Sequence, residues 1–390
     1  MTLKEHSKHT SLARPAYGNF CRNEWALVGA NCNVIKSIAG KIIETLSPKY
    51  QCAYVDASHE NPETEEGLPG RLDEGATLEY TDQIRYRQFH YQKNFNAFQY
   101  RRFFNEADLV LVNGNHQQAK AQIVFIDPAK EASLQKRLPQ LTQVQLFLVS
   151  ESGTEIFPFL KNAIPNWENI PVLKVSDTAE IIRFFERQMQ AAKPKVNGLV
   201  LAGGRSLRMG SDKNLLNWHG REQQFYLADQ LQKFCDEVYI SCRPEQETGI
   251  PEPYKSLPDT FTGLGPMGAI LSAFRHNPNT AWMVLACDLP LVTSQTLSFL
   301  TENRNTSKFA TAFVNPENGF PEPLLTIWEP KSYPVLLSFL AQGYSCPRKM
   351  LINSEVQMLK APDPDVLNNV NTPEEREQAL QLLKQRKETV

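Results

Sequence analysis

The sequence has no continuous run of about 20 apolar residues, which excludes a membrane-spanning helix. It has no Cys-x-x-Cys pair, and its seven cysteines are widely scattered, so a zinc site and a disulfide framework are both disfavoured. The net charge of −2 provides no broad basic field for nucleic acid or an anionic membrane. The polar, basic start of the chain lacks the apolar core of a secretory signal. We therefore expect a cytoplasmic protein with reduced thiols that binds neither nucleic acid nor a membrane.

The length of 390 residues is too great for one comfortable hydrophobic core, so two domains are expected. Residues 1–24 are predicted to form a polar arm. A predicted helix that begins at Asp177 is broken by Lys193-Pro194-Lys195, which is typical of a short linker. The sequence thus predicts one domain over residues 25–193 and a second over residues 194–390.

The first domain opens with a predicted strand, helix and strand, which is the pattern of a parallel βαβ unit. The strands are Trp25–Gly29 and Cys52–Asp56, and the helix is Val34–Leu46. The loop after the first strand stands where a phosphate loop would lie, yet its second glycine position is occupied by Val34 or Ile35, depending on the register. A branched side chain there blocks the approach of a phosphate to the backbone. The first domain is therefore an α/β fold with a parallel sheet and no working phosphate loop.

The segment Arg85–Phe104 is dense in aromatic and basic residues. Aromatic side chains that stack on bases, interspersed with basic side chains that bind phosphates, are found in single-strand nucleic-acid sites. However, Phe95, Phe98 and Phe103 also fit part of a helix stripe that packs against a core. We favour the core stripe, because the small net charge argues against nucleic acid. A surface for an anionic pterin or a partner protein is the third interpretation.

The second domain opens with a predicted phosphate cradle over residues 196–216. An apolar strand ends at Ala202, and Gly203 and Gly204 allow the backbone to approach an anion and aim its N–H groups at it. Positive charge for a polyphosphate follows at Arg208 and Lys213. The glycine spacing fits neither a P-loop nor a dinucleotide-binding fingerprint.

The cradle resembles the signature L-A-G-G-x-S-x-R-M-G-x-D-K of the nucleotidyltransferases that load a nucleotide onto the molybdenum cofactor. Every defined position is filled between Leu201 and Lys213. Three later segments resemble the same family in the same order: Asp259 with the glycine loop 263–268, an apolar strand that ends at Asp288, and Asn-Val-Asn-Thr-Pro-Glu-Glu at residues 369–375. The resemblance spans about residues 196–382.

This resemblance implies a Rossmann-like three-layer nucleotidyltransferase fold and a set of site residues. The implied catalytic residues are Arg208, Lys213 and Asp288, and Asp288 is also the implied ligand of Mg²⁺. The implied nucleotide-binding residues are Leu201, Ala202, Gly203, Gly204, Lys213, Ser241, Asp259 and Asp288. The implied pterin-substrate residues are Gly265, Asn369 and Asn371. Ser241 departs from the family, which commonly has Asn at that position.

The resemblance further implies transfer of GMP from GTP to the molybdenum-molybdopterin cofactor, which gives molybdopterin guanine dinucleotide and pyrophosphate. Relatives that use CTP tend to have Leu-Ala-Ala-Gly where this chain has Leu201-Ala202-Gly203-Gly204. A molybdopterin cytidylyltransferase and a sugar-1-phosphate nucleotidyltransferase are the alternative enzymes. A non-catalytic carrier or chaperone of the cofactor is the alternative of another class. Molybdoenzyme apoproteins and their chaperones are further candidate partners.

The first domain resembles the accessory GTP-binding protein of molybdopterin guanine dinucleotide synthesis in the order of its elements. Asn113, at the end of an apolar strand, stands where that protein has an acidic residue. An amide brings no charge to a magnesium ion. The resemblance therefore implies a degenerate, P-loop-NTPase-like domain over residues 25–193 that is kept for docking or cofactor handling.

Overall fold

The computed structural model describes residues 19–57, 68–150, 155–203 and 216–388. The chain divides into two compact units, Arg22–Glu186 and the part from Arg187 onward. The division falls within the last helix before Lys193-Pro194-Lys195. Along the described ranges, no helix combines the length and the apolar character that crossing a bilayer requires.

The first unit is an α/β fold. Its strands are β1 (Asn23–Val28), β2 (Cys52–Val55), β3 (Leu78–Asp82), β4 (Arg87–Tyr91), β5 (Leu109–Asn113), β6 (Ala121–Ile126), β7 (Val144–Val149) and β8 (Val172–Lys174). Its helices are α1 (Cys32–Leu46), α2 (Ala97–Arg102), α3 (Glu131–Lys136), α4 (Pro158–Ala163) and α5 (Thr178–Ala191). The first strand begins at Asn23, two residues earlier than the predicted strand.

The main sheet of the first unit is parallel throughout, in the order β2-β5-β1-β6-β7-β8. Every residue of β5 and β6 is buried, as expected of strands whose two faces are both covered. Helix α1 buries Ile35, Ile38, Ile42 and Leu46 along one stripe. These contacts confirm the predicted parallel sheet and its first helix.

The aromatic segment does not form the predicted core stripe. It is divided between β4, which pairs with β3 in an antiparallel hairpin, and the six-residue helix α2. Phe95 and Phe103 are 40% and 58% exposed, and their rings contact each other with centroids 5.1 Å apart. The core-stripe prediction is therefore wrong for these two residues, because the helix, Ala97–Arg102, is too short to include either of them. The side chain of Phe98 lies outside the described part.

The second unit is built on a mixed sheet in the order β11-β10-β9-β12-β14-β13-β15. Its strands are β9 (Val196–Leu201), β10 (Val238–Cys242), β11 (Lys255–Pro258), β12 (Ala281–Ala286), β13 (Ala310–Val314), β14 (Pro321–Trp328) and β15 (Val356–Leu359). Its helices are α6 (Gln223–Leu231), α7 (Pro266–His276), α8 (Ser294–Glu302), α9 (Ser332–Ala341), α10 (Pro347–Ile352) and α11 (Pro373–Glu388). Strand β14 runs antiparallel to both of its neighbours.

Helices cover both faces of this sheet. Successive residues of a strand point to opposite faces, so Val200 packs in one core with Leu227 and Leu231 of α6. Leu199 packs in a second core on the other face, with Met267 and other residues of α7. Full burial of each such aliphatic side chain contributes about 1.5–3 kcal/mol. The predicted three-layer arrangement is therefore present.

Candidate active site

Four neighbouring parallel strands of the second unit, β11, β10, β9 and β12, end at one edge of the sheet. Ligands of open α/β sheets bind outside such carboxyl ends. A cavity of about 760 Å³ lies there, which we call the large cavity. Its lining includes many of the residues that the sequence predicted: Leu201, Ala202, Gly203, Ser241, Asp259, Gly265 and Asp288. The volume is within the range of small-molecule sites.

Gly203 lies two residues after β9 and close to the residues that end β10 and β11. A Cβ atom at this position would lie 3.4 Å from the backbone nitrogen of Arg243 and 3.5 Å from Oδ2 of Asp259. The preceding residue, Ala202, is buried, and its N–H donates to the carbonyl of Ser241 at 3.1 Å. The remaining residues of the predicted cradle, Gly204, Arg208 and Lys213, lie outside the described residues.

A polar pair joins the ends of β10 and β11. Ser241 is 1% exposed, and its hydroxyl donates to Oδ1 of Asp259 at 2.7 Å. Burial raises the pKa of Asp259, and the hydrogen bond from Ser241 opposes that shift. The pair therefore holds a desolvated carboxylate at the wall of the large cavity, where it can accept hydrogen bonds from a ligand.

The glycine loop before α7 is fixed by its backbone. Gly263 and Gly265 have φ values of +76° and +56°, a region that favours glycine. A Cβ atom at Gly268 would lie 2.1 Å from the carbonyl oxygen of Phe261, so the loop packs directly on the helix. The structure thus places Gly265, predicted for the pterin, beside the residues predicted for the nucleotide.

Asp288 follows the fully buried strand β12 and reaches the large cavity. Its backbone carbonyl accepts a hydrogen bond of 2.9 Å from the N–H of Val370. This bond ties the end of β12 to the Asn369–Asn371 segment. Asn369 and Asn371 themselves line a separate cavity of about 420 Å³, the small cavity. The structure therefore does not bring these two residues into the large cavity.

The start of α11 explains part of the Asn369–Asn371 segment structurally. The hydroxyl of Thr372 accepts from the N–H of Glu375 at 3.2 Å, and Oε2 of Glu375 accepts from the N–H of Thr372 at 3.0 Å. This reciprocal pair is a capping box. Within the described residues, Oδ1 of Asn369 is buried and accepts no hydrogen bond.

Sequence reasoning missed Glu322 as a residue of this region. Its side chain is 1% exposed, and its carboxylate pairs with Arg348 at 3.1 Å and accepts from the N–H of Leu324 at 3.2 Å. Burial raises the pKa of Glu322; the nearby negative charge of Asp288 adds to this, whereas Leu324 and Arg348 oppose it. The antiparallel pairing of β12 and β14, which includes Leu285 with Leu325, brings the end of β12 and the start of β14 to the same edge of the sheet.

Arg243 is the second residue that the sequence analysis did not assign. It lines the large cavity and forms an ion pair of 3.1 Å with Glu245, whose side chain is mostly exposed. Its place directly after β10 was a usable signal, because a basic residue at a strand end beside a predicted phosphate cradle can contact an anionic ligand.

Comparison with known proteins finds relatives of the second unit. The family of MobA-like NTP transferase domains matches residues 198–357. The molybdenum cofactor biosynthesis bifunctional protein of Synechocystis sp. is 36% identical over 179 residues, 46% of this chain and 52% of that protein, so the chain spans about half the length of this relative. The structure of molybdopterin-guanine dinucleotide biosynthesis protein A from Archaeoglobus fulgidus shares 22% identity, with a TM-score of 0.42, over 48% of this chain and 99% of the other.

A further relative is matched over almost its full length. The molybdenum cofactor guanylyltransferase of Pseudomonas putida is 30% identical over 194 residues, which are 48% of this chain and 98% of that protein. The chain therefore belongs to the molybdenum cofactor guanylyltransferase family of nucleotidyltransferases.

Proposed function

We propose that the second unit transfers GMP from GTP to the molybdenum-molybdopterin cofactor and releases pyrophosphate. The observation that carries this proposal is the large cavity, which gathers Gly203, Ser241, Asp259 and Asp288 at the ends of adjacent strands in a chain of this family. None of these residues is close to another along the sequence.

In the proposed reaction, a phosphate oxygen of the pterin attacks the α-phosphorus of GTP. A bond forms between that oxygen and the α-phosphorus, and the bond from the α-phosphorus to the bridging oxygen breaks with its electron pair leaving on pyrophosphate. The nucleophile is already an anion, so positioning and charge neutralisation supply most of the catalysis. Arg208 and Lys213 are the proposed phosphate-neutralising residues, and Gly203 and Gly204 the proposed backbone cradle.

The residues at the end of β12 fit a magnesium ion. Mg²⁺ prefers oxygen ligands and is commonly held by one or two carboxylates together with substrate phosphates. Asp288 supplies such a carboxylate, and Glu322 adds negative charge beside it. No group of three His, Cys, Asp or Glu side chains in the described ranges is arranged to hold a metal. Bound there, Mg²⁺ would neutralise phosphate charge.

We further propose that the first unit is a degenerate relative of P-loop domains and does not hydrolyse GTP. Gly29 has φ +97°, and a Cβ atom there would lie 2.7 Å from the carbonyl oxygen of Phe125, so packing against β6 accounts for this glycine. Ile35, at one candidate position for the second glycine, is fully buried in the core. GTP hydrolysis by a full-length Asp288→Ala variant would contradict this proposal.

Pyrophosphate release tests the transferase proposal. The purified full-length protein is mixed with molybdenum-molybdopterin and equimolar GTP and CTP, and the dinucleotide product is identified by mass spectrometry. We expect the guanine dinucleotide. The cytosine dinucleotide would establish the cytidylyltransferase alternative, and turnover with a sugar 1-phosphate in place of the pterin would establish that alternative. Cofactor binding with no pyrophosphate release would indicate the carrier.

A further inference from the structure

A second cluster of reactive side chains lies in the first unit, at the carboxyl edge of its parallel sheet. Strands β2, β5 and β1 are neighbours, and each contributes through the residues that follow it. Asp56 follows β2, His116 lies three residues after β5, and Cys32 is the first residue of α1 after β1. The fold thus brings a thiol, an imidazole and a carboxylate together from three distant parts of the sequence.

The distances within this cluster allow direct interaction. The Sγ atom of Cys32 lies 3.4 Å from Nε2 of His116. The same imidazole nitrogen lies 3.9 Å from Oδ1 of Asp56. The side-chain amide of Asn115 is 3.8 Å from Sγ. A Cys–His pair at such a separation is the arrangement of an activated nucleophile.

The carboxylate of Asp56 is held firmly in place. It accepts hydrogen bonds of 2.8 Å from the hydroxyl of Tyr54, from the N–H of Ala57 and from the side-chain amide of Asn113, and Lys36 lies 3.7 Å away. Burial alone would raise the pKa of Asp56, but these hydrogen bonds and the charge of Lys36 together lower it. The fully buried Asn113 therefore fixes an anion here.

Cys32 differs from the other cysteines in its surroundings. It is half-buried, it is the first residue of the 15-residue helix α1, and its sulfur lies 3.4 Å from an imidazole nitrogen that can accept its proton. Burial instead raises the pKa of Cys52 to about 11 and of Cys235 to about 12, with smaller contributions from Asp108 and Asp236. Those thiols are expected to be inert.

We propose that Cys32 is a nucleophilic thiol that exchanges with small organic disulfides, with His116 as its proton acceptor and Asp56 as the positioning residue that stabilises the imidazolium. The thiol proton moves to His116, and the thiolate attacks one sulfur of R–S–S–R. A disulfide bond forms between Cys32 and that sulfur, the original S–S bond breaks, and R–S⁻ leaves with the electron pair. His116 then returns the proton to that thiolate. The next cysteine along the chain, Cys52, lies at the start of β2, about 10 Å from its carboxyl end by the rise of three strand residues, so we expect the mixed disulfide to persist.

The rate of disulfide exchange at each cysteine of the full-length protein tests this proposal. The neutral probe 2,2′-dithiodipyridine is added at pH 7, the released thiopyridone is followed by absorbance, and the adducts are located by peptide mass spectrometry. We expect Cys32 to react about tenfold faster than the exposed Cys346, because His116 lies where it can accept the thiol proton. Reaction at Cys32 no faster than at Cys346 would overturn the proposal.

Variants of the neighbouring residues distinguish activation of the Cys32 thiol by His116 from simple accessibility of its sulfur to the probe. His116→Gln should slow Cys32 about tenfold while the rate at Cys346 and the thermal unfolding temperature stay unchanged. His90→Gln, which alters another histidine of the same unit, is the matched control and should leave both rates unchanged. If His116→Gln does not fold, Asp56→Asn provides the same comparison. An unaltered rate at Cys32 in a folded variant of either residue would refute the assignment.

Discussion

The hydroxyl of Ser241 donates a 2.7 Å hydrogen bond to Oδ1 of Asp259, and both residues are at the wall of the large cavity. The bond crosses between the ends of two parallel strands. It favours the ionised carboxylate, whereas burial favours the protonated one. Ser241 therefore supports the charged form of Asp259 that a nucleotide hydroxyl or amine would contact.

Ser241→Ala should move the pH dependence of nucleotide binding. Loss of the hydroxyl leaves burial unopposed, so the pKa of Asp259 rises further and the carboxylate is neutralised at a higher pH. The KM for GTP should then begin to increase at a higher pH in the variant than in the wild type, with little change above neutral pH. Steady-state kinetics between pH 4.5 and about 8 measure this.

Asp259→Asn provides the control for that experiment. An amide does not titrate, so the acid limb of the KM profile should disappear, and KM should be high throughout. Identical acid limbs in the wild type and in Ser241→Ala would show that Asp259 does not govern nucleotide binding.

Glu322→Gln should weaken the response to magnesium without abolishing turnover. The buried carboxylate adds negative charge near Asp288, and its removal leaves the positive charge of Arg348 without its partner. The concentration of Mg²⁺ needed for half-maximal activity should therefore rise about tenfold. A magnesium titration of pyrophosphate release checks this. An unchanged half-maximal concentration, with kcat lowered instead, would contradict it.

Glu329→Gln should destabilise the second unit. Glu329 is fully buried and forms a two-pronged pair with Arg304, at 2.7 Å and 2.8 Å. Removing one charge leaves the buried guanidinium without its partner, which costs about 3–5 kcal/mol in the free energy of unfolding. Hydrogen exchange of the β12 and β14 amides reports this unit directly.

Lys308→Met is the matched control for that stability measurement. It removes one partner of the exposed Lys308–Glu355 pair, and exposed pairs contribute at most about 1 kcal/mol. If protection from hydrogen exchange fell equally in the two variants, burial of the ion pair would not determine how much the free energy of unfolding falls.

The sequence predicted the architecture well where hydrophobic periodicity was strong. The helix predicted over Val34–Leu46 and the apolar strand before Asp288 were placed correctly, because burial on one face or on both leaves a repeating pattern. The direction of β14 was not predictable in this way, since a fully buried strand has the same pattern in either direction. The prediction that Phe95 and Phe103 are buried was wrong, because aromatic content was taken as a sign of burial and both side chains are exposed.

The site was predictable where a glycine or a carboxylate follows an apolar strand. Gly203 and Asp288 have that signal, whereas Asp259 was implied by the family resemblance, and the structure gathers all three in one cavity. Glu322 does not have this signal, because its proximity to Asp288 results from the antiparallel pairing of β12 and β14. The cluster of Cys32, Asp56 and His116 was missed for a similar reason, since only the order of the strands brings these residues together.

The most direct test of the transferase account is pyrophosphate release by full-length Asp288→Ala, supplied with GTP, Mg²⁺ and molybdenum-molybdopterin. Because Asp288 is the proposed carboxylate for the metal and follows a rigid buried strand, the fold should survive while turnover falls at least about a thousandfold. An unchanged unfolding temperature together with this loss is the predicted result. Normal turnover in the folded variant would contradict the account.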